Sequence, residues 1–198
     1  IHDSTYAENF LHILGAEKIT PLMTRIMDAT LVLHGEHTIN ASTFTAMVTS
    51  STLANAPQVV ASAIGSLSGP LHGGANEKVV AMLQKIKSKE EIRPWLDETL
   101  KAKNVVWGMG HREYSVKDPR ANILTDMVQE LFDERDGGVT DIFEKAIELE
   151  KACEEKLSHK GVYPNVDFYS GILYKEMDIP TDIFTPIFAM SRLSLIHI

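Results

Sequence analysis

Gly69-Pro-Leu-His-Gly-Gly-Ala-Asn-Glu77 interrupts one helical pattern and starts another. Pro70 fixes its own φ and biases Gly69 towards extended backbone, which ends any helix before it. Gly73 and Gly74 carry no Cβ, so backbone or ligand can approach the imidazole of His72 closely. From Asn76 the helical period resumes, with Val79, Val80, Leu83 and Ile86 on one stripe. His72 therefore stands just before a helix N-terminus. The positive end of that helix disfavours an imidazolium and supports a neutral ring able to donate a hydrogen bond. A loop histidine between two helices is the plain alternative, and other residues of the chain have to decide between the two.

Upstream, Thr20-Pro21 reads as N-cap and first position of a helix bearing Leu22, Ile26, Ala29 and Leu33, with Gly35 as its stop. Two helices follow, about 42–54 and from Pro57 to before Gly69. Both are rich in Ala, Ser, Thr and Gly, a composition expected of buried central helices whose neighbours come close. Downstream, Pro94 opens a short helix. Residues 105–111, Val-Val-Trp-Gly-Met-Gly-His, break the period as a glycine-hinged loop. Asp118-Pro119 caps a helix with Ile123, Leu124, Met127, Val128, Leu131 and Phe132 at amphipathic spacing, ended by Gly137-Gly138. Thr140 caps a longer helix through Phe143, Leu149 and Cys153 to Gly161, and Asn165 leads into the next. No segment alternates with period two. The expectation is an all-α fold.

Composition narrows the function. The chain has 198 residues, 44% of them hydrophobic and 23% charged, which suffices for a real core. A net charge of -8 argues against non-specific nucleic-acid binding and against a polybasic membrane patch. Any anionic substrate must then meet a local cluster of Arg and His. No apolar run reaches membrane-spanning length. The single Cys153 allows no intrachain disulfide and fits a reducing compartment; a cytoplasmic setting is expected, with an organelle matrix left open. The chain starts without Met and without a signal-peptide pattern, so it is expected to begin inside a longer protein.

Four polar positions occupy helix boundaries or glycine-rich loops: His37, His72, His111 and Asp167. Arg120 and Arg192 have the geometry to clamp carboxylates in bidentate fashion. Arg120 in a first helical turn works against the dipole and needs a further reason to be there. Asp118 reads as an N-cap, and Asp167 has a cap as its alternative reading. His34 and His37 supply at most half a metal site, with no convincing third ligand, so no metal is expected. His34 reads as a packed or capping residue.

These positions lie in six motifs: Leu-His-Gly-Glu-His-Thr-Ile-Asn-Ala-Ser (33–42), the 69–77 stretch, Gly-Met-Gly-His-Arg-Glu-Tyr (108–114), Asp-Pro-Arg-Ala (118–121), Asn-Val-Asp-Phe-Tyr-Ser-Gly (165–171) and Ala-Met-Ser-Arg (189–192). In kind and order they resemble the citrate synthase family. The resemblance implies a condensation of acetyl-CoA with oxaloacetate, followed by hydrolysis of the citryl thioester. By that analogy Asp167 takes the methyl proton, His72 hydrogen-bonds the thioester oxygen, and His111 polarises the keto carbonyl. A preorganised donor of that sort is worth roughly 3 kcal/mol of barrier. His37, Arg120 and Arg192 would hold oxaloacetate, and the loop of Val106, Trp107, Gly108, Met109 and Gly110 would receive coenzyme A. The thioester is a substrate, and no cofactor or metal is implied.

The resemblance further implies a homodimer and two domains: 1–75 and 177–192 in a large domain, 76–176 a small mobile one with His72 near the hinge. Three departures stand out. Ser115 replaces a basic residue that can meet coenzyme A phosphates, with Lys117 nearby. Trp107 sits where a smaller side chain is usual. After Arg192, the segment 193–198 has no family counterpart; it reads as a translated library adapter and as a non-native tail. The family's further substrate arginine and its N-terminal helices are expected to be missing, so the fragment is expected to be inactive alone. 2-Methylcitrate synthase, which takes propionyl-CoA, stays open, since one methylene is worth only about 1–3 kcal/mol in a pocket. A metal-dependent hydrolase and a non-catalytic interaction protein are the readings from other classes.

Overall fold

The computed structural model of the chain describes residues 4–35, 38–69, 72–111, 113–135 and 138–193. Among these it forms ten α-helices: α1 Tyr6–Ile13, α2 Pro21–Gly35, α3 Ala41–Ser51, α4 Ala56–Leu67, α5 Ala75–Lys85, α6 Ile92–Lys101, α7 Pro119–Glu134, α8 Asp141–Leu157, α9 Val166–Glu176 and α10 Phe184–Leu193. No strand occurs among the described residues; Met109 and Pro164 share one isolated bridge. The expected all-α class holds.

Helix starts follow local chemistry. Thr20 Oγ1 accepts from the Met23 N–H at 3.1 Å, just ahead of Pro21. Asn55 and Gln58 form a reciprocal capping box on α4. Asp118 accepts from the Arg120 N–H at 3.0 Å, with Pro119 in the first turn of α7. Thr140 occupies the cap position of α8 but does not cap it. Its hydroxyl donates instead to Glu176 Oε1 at 2.7 Å and ties the start of α8 to the end of α9. Helix α1 lies outside the helices read from the sequence, although Thr5 Oγ1 accepts from the Glu8 N–H as a cap should.

The centre of the molecule is α9. Phe168, Tyr169, Ser170, Gly171, Ile172, Leu173 and Tyr174 are all buried. It lies between α5 and α7. A Cβ on Gly171 would come within 2.5 Å of the Asn76 carbonyl, so the α5–α9 crossing requires glycine there. The small-residue helices α3 and α4, expected at the centre, pack on each other instead, with Thr49 Oγ1 and Ser62 Oγ 2.9 Å apart. Only Ser42 of α3 is buried, and only Val59 and Leu67 of α4. Small side chains let these two backbones approach one another, but no further layer of the described chain covers their outer face. Phe44, Met47 and Val48 stand 60%, 51% and 50% exposed there.

Candidate active site

The site is built on the C-terminal end of α2, whose last carbonyls have no partner within the helix and carry its negative pole. Arg120 Nη1 donates to Leu33 O at 3.3 Å, and Arg192 Nε donates to His34 O at 3.3 Å. Two guanidiniums from α7 and α10 thus gather at one helix end. Arg192 also lies over the Phe188 ring, 4.3 Å from its centroid. Arg120 has the further reason the sequence called for: its Nε and Nη2 grip the two oxygens of Asp118 at 3.0 and 2.7 Å. Asp118 Oδ2 also accepts from the Val166 N–H at 3.2 Å, which joins the start of α7 to the start of α9. Burial by itself would raise the Asp118 carboxyl, but hydrogen bonds and charge from Arg120 outweigh it and hold the pKa below its ordinary value. The N-cap reading of Asp118 was right but incomplete.

Asp167 follows Val166 in the first turn of α9. Burial pushes its carboxyl up to about 6, with a smaller rise from Asp118, against the downward pull of Arg120 and Arg192. The cap of α9 is Asn165, whose Oδ1 accepts from the Asp167 N–H at 3.0 Å. Asp167 therefore has no capping role, and among the described residues none hydrogen-bonds its carboxylate.

His72 Nε2 lies 3.1 Å from the Ser42 backbone N and 2.9 Å from Ser42 Oγ. A backbone N–H only donates, so Nε2 accepts and the proton of the neutral ring sits on Nδ1. Burial first, and then the charge of Arg192, lower the His72 pKa. The neutral ring expected from the sequence is supported, but the helix responsible differs. The imidazole meets the N-terminus of α3, whereas α5 begins beyond it at Ala75.

His111 Nδ1 accepts from the Glu113 N–H at 3.0 Å, which puts the proton of a neutral ring on Nε2. In its protonated form it would lower the Asp118 carboxyl, so it lies in the same electrostatic neighbourhood. His37 lies outside the described residues. His34 is packed, as read: Nδ1 meets Thr30 O at 2.7 Å, the ring stands edge-on to Phe188, and burial drives its pKa down to about 4. Among the described residues, no three His, Cys, Asp or Glu side chains are placed to hold a metal ion.

The loop Val106–Gly110 is pinned against the start of α9. Asn165 N donates to Gly108 O at 2.9 Å, Asn165 Nδ2 to Gly110 O at 2.8 Å, and Gly110 N to Tyr163 O at 2.7 Å. Gly108 has φ +78°, and a Cβ there would lie 2.9 Å from Phe168 Cα. Trp107 is covered by Lys78, whose Nζ is 4.0 Å from the ring centroid. Lys117, the nearby cation noted beside Ser115, pairs with Glu150 at 2.5 Å. A separate cavity of about 360 Å³, lined by Leu11, Leu14, Met23 and Met177 among others, contains none of the candidate residues.

The structure thus gathers Arg120, Arg192, Asp167 and His72 into one field, with His111 joined through Asp118. Ser42 and Asn165 were missed as supporting residues. Each carries the polar signature of a helix start, but its partner lies far along the chain.

Comparison with known proteins places the chain in a family. The family model described as "Citrate synthase, C-terminal domain" matches residues 2–194. The chain belongs to the citrate synthase family. It is 52% identical over 189 residues to a citrate synthase of Synechocystis, covering 96% of this chain and 47% of that protein. A citrate synthase of Acidithiobacillus ferridurans is 50% identical over 190 residues, covering 96% and 49%. Among solved structures, the ternary complex of carboxymethyl coenzyme A and oxaloacetate with citrate synthase from Thermoplasma acidophilum superposes with a TM-score of 0.87 at 34% identity. That match covers 97% of this chain and 51% of the other. The chain spans about half the length of the curated relatives it matches. No helix among the described residues is long and apolar enough to cross a membrane.

Proposed function

We propose that the protein carrying this chain condenses acetyl-CoA with oxaloacetate to give citrate and free coenzyme A. The observation that carries the reading is a carboxyl raised to about 6 by burial at Asp167 within the field of the Arg120 and Arg192 guanidiniums, the second of which also acts on the neutral His72. A carboxylate with that pKa is still mostly ionised at pH 7 and is a stronger base than an ordinary one, which suits removal of a methyl proton next to a thioester. The Nδ1–H of His72 is the donor for the thioester oxygen as the enol forms. The Nε2–H of His111 is the donor for the keto oxygen as it becomes an alkoxide. Arg120 and Arg192, with His37, meet the two carboxylates of oxaloacetate, and Val106–Gly110 receives coenzyme A. Arg120 is already clamped by Asp118, so it enters as an oriented cation and not as a mobile one.

The names of the relatives favour acetyl-CoA over propionyl-CoA, and the complex solved for the Thermoplasma enzyme holds the same two substrate types. The bacterial relatives support a cytoplasmic setting. The same reading includes a homodimer, supported by the uncovered apolar face of α3 and α4, and a small mobile domain over 76–176. The test is thioester consumption by the protein as its source expresses it, with acetyl-CoA and propionyl-CoA compared against oxaloacetate and the product identified by mass. Citrate formation with acetyl-CoA preferred is expected. Thioester hydrolysis without carbon–carbon bond formation would sink the reading.

A further inference from the structure

Glu150 lies in α8 and faces none of the residues assigned to substrate. One of its oxygens, Oε1, pairs with Lys117 Nζ at 2.5 Å, and the other, Oε2, accepts the hydroxyl of Tyr169. Lys117 and Glu150 are largely shielded, with side chains 28% and 16% exposed, so the pair is screened less than a surface ion pair. Lys117 Nζ also stands 5.6 Å from the centroid of the Tyr169 ring, which is buried. Three groups from three segments therefore close one triangle.

What the triangle joins is the point. Lys117 ends the strap 113–117, which follows His111 and leads into Asp118, the clamp of Arg120. Tyr169 is two residues after Asp167 on α9, which turns it about 200° around the helix from the base. Fixing the phenol on one side of α9 fixes the rotation at which Asp167 is presented on the other. Glu150 thus couples the strap beyond His111 to the rotational setting of α9. Among the described residues the strap is also held by the Glu113 N–H on His111 Nδ1 at 3.0 Å, the Tyr114 ring 4.8 Å from the His111 ring, the packing of Ser115 against Gly161, and Asp118, which meets Pro164 O at 3.3 Å and the Val166 N–H at 3.2 Å. None of these contacts reaches Tyr169, which the strap meets through Lys117 and Glu150.

We propose that Glu150 is a positioning residue for the reaction, holding the strap through Lys117 and α9 through Tyr169 so that His111 and Asp167 keep their mutual placement. The proposal rests on the condensation reading for its kinetic test, and it also has a test that does not. In the protein as its source expresses it, Glu150→Gln keeps the size of the side chain and a hydrogen bond to Tyr169 but removes the charge that holds Lys117. Lys117→Met removes the other end.

Each single change is expected to lower kcat and the exchange of thioester methyl protons about tenfold, with both KM values within about twofold. The double variant should be no slower than the slower single one, because both remove the same link. Arg93→Met serves as the control, since it deletes the ion pairs of Glu148 and Glu155 on the same helix without touching the strap. Its kcat should stay at the parent value even if its melting temperature falls. Amide hydrogen exchange gives the independent readout: protection at Glu113–Lys117 and at Val166–Phe168 should drop in Glu150→Gln and Lys117→Met but not in Arg93→Met. Unchanged kcat, additive losses, or unchanged exchange of the strap in Glu150→Gln would each overturn the proposal. If the parent protein turned over no thioester, the condensation reading would fall, and the exchange experiment would still decide the role of Glu150.

Discussion

At Asp167, burial raises the carboxyl to about 6 from an ordinary value near 3.8. Between about pH 4 and 6 the folded chain therefore keeps a proton that the unfolded chain has released. Stability falls as pH rises through that window, by at most about 3 kcal/mol and less where solvent screens the group. His34 works the other way: its pKa falls from 6.5 to about 4, so between those values the folded chain has released a proton that the unfolded chain keeps. Its contribution to stability is lost as pH falls through the same window. Asp167→Asn removes the first effect and leaves the second. The variant is expected to melt higher than the parent at pH 7, with the difference vanishing near pH 4, while methyl-proton exchange from the thioester collapses. Thermal melts from pH 4 to 7 check the first part, and a pH-independent difference would detach the raised pKa from burial. At His72, Ser42→Ala keeps the backbone N–H that sets the ring tautomer and removes only the hydroxyl. A loss of about 1 kcal/mol, or roughly fivefold in kcat, is expected. A change larger than a hundredfold would mean that the hydroxyl, and not the N–H, sets the imidazole.

Elements were legible where a cap announced them and illegible where only composition did. Asp118-Pro119, Asn55 with Gln58, and Asn165 write the starts of α7, α4 and α9 into a few consecutive residues. Helix α1 has a Thr5 cap too, yet eight residues make a weak signal. The Ala, Ser and Thr of α3 and α4 state that something approaches closely without stating what. The same limit applies to the site. Its motifs could be recognised one by one, but the Ser42–His72 and Asp118–Val166 contacts join residues 30 and 48 apart, and no local pattern encodes them. Gly108 is an intermediate case, since its glycine was visible and its reason was not. A Cβ there meets Val79 Cγ2 at 2.8 Å and Phe168 Cα at 2.9 Å, at φ +78°. Gly108→Ala is expected to cost about 2–4 kcal/mol, the sum of left-handed strain and overpacking, and to raise the thioester KM about tenfold with oxaloacetate affinity kept. At Gly110, where φ is +85° and the nearest atom is 3.8 Å away, Gly→Ala should show the strain alone. Equal melting losses at the two positions would mean that contact with α9 does not hold the loop.

On the scale of the molecule, the chain has one well-covered region around α9 and one uncovered region on α3 and α4. Phe44, Met47 and Val48 on α3, Leu53 in the turn and Ile64 on α4 are all exposed, and no acidic or basic side chain interrupts 41–68. A stable surface helix normally alternates an apolar stripe with charge, and an apolar face of this kind marks an interaction surface or an association hazard. The net charge of -8 opposes association only weakly here, because none of it lies on this face. The 198-residue chain on its own is therefore expected to self-associate reversibly or aggregate as its concentration rises. Replacing Phe44 and Met47 together by Ser should lower the association by about fivefold to a hundredfold, since two half-exposed apolar side chains contribute roughly 1–3 kcal/mol when covered. Circular dichroism should show the helix content unchanged, because neither side chain touches the core around α9. Light scattering across a dilution series of parent and double variant is the measurement. A parent chain that stays monomeric at every concentration would show that this face needs no cover and would remove the support it lends to a dimer.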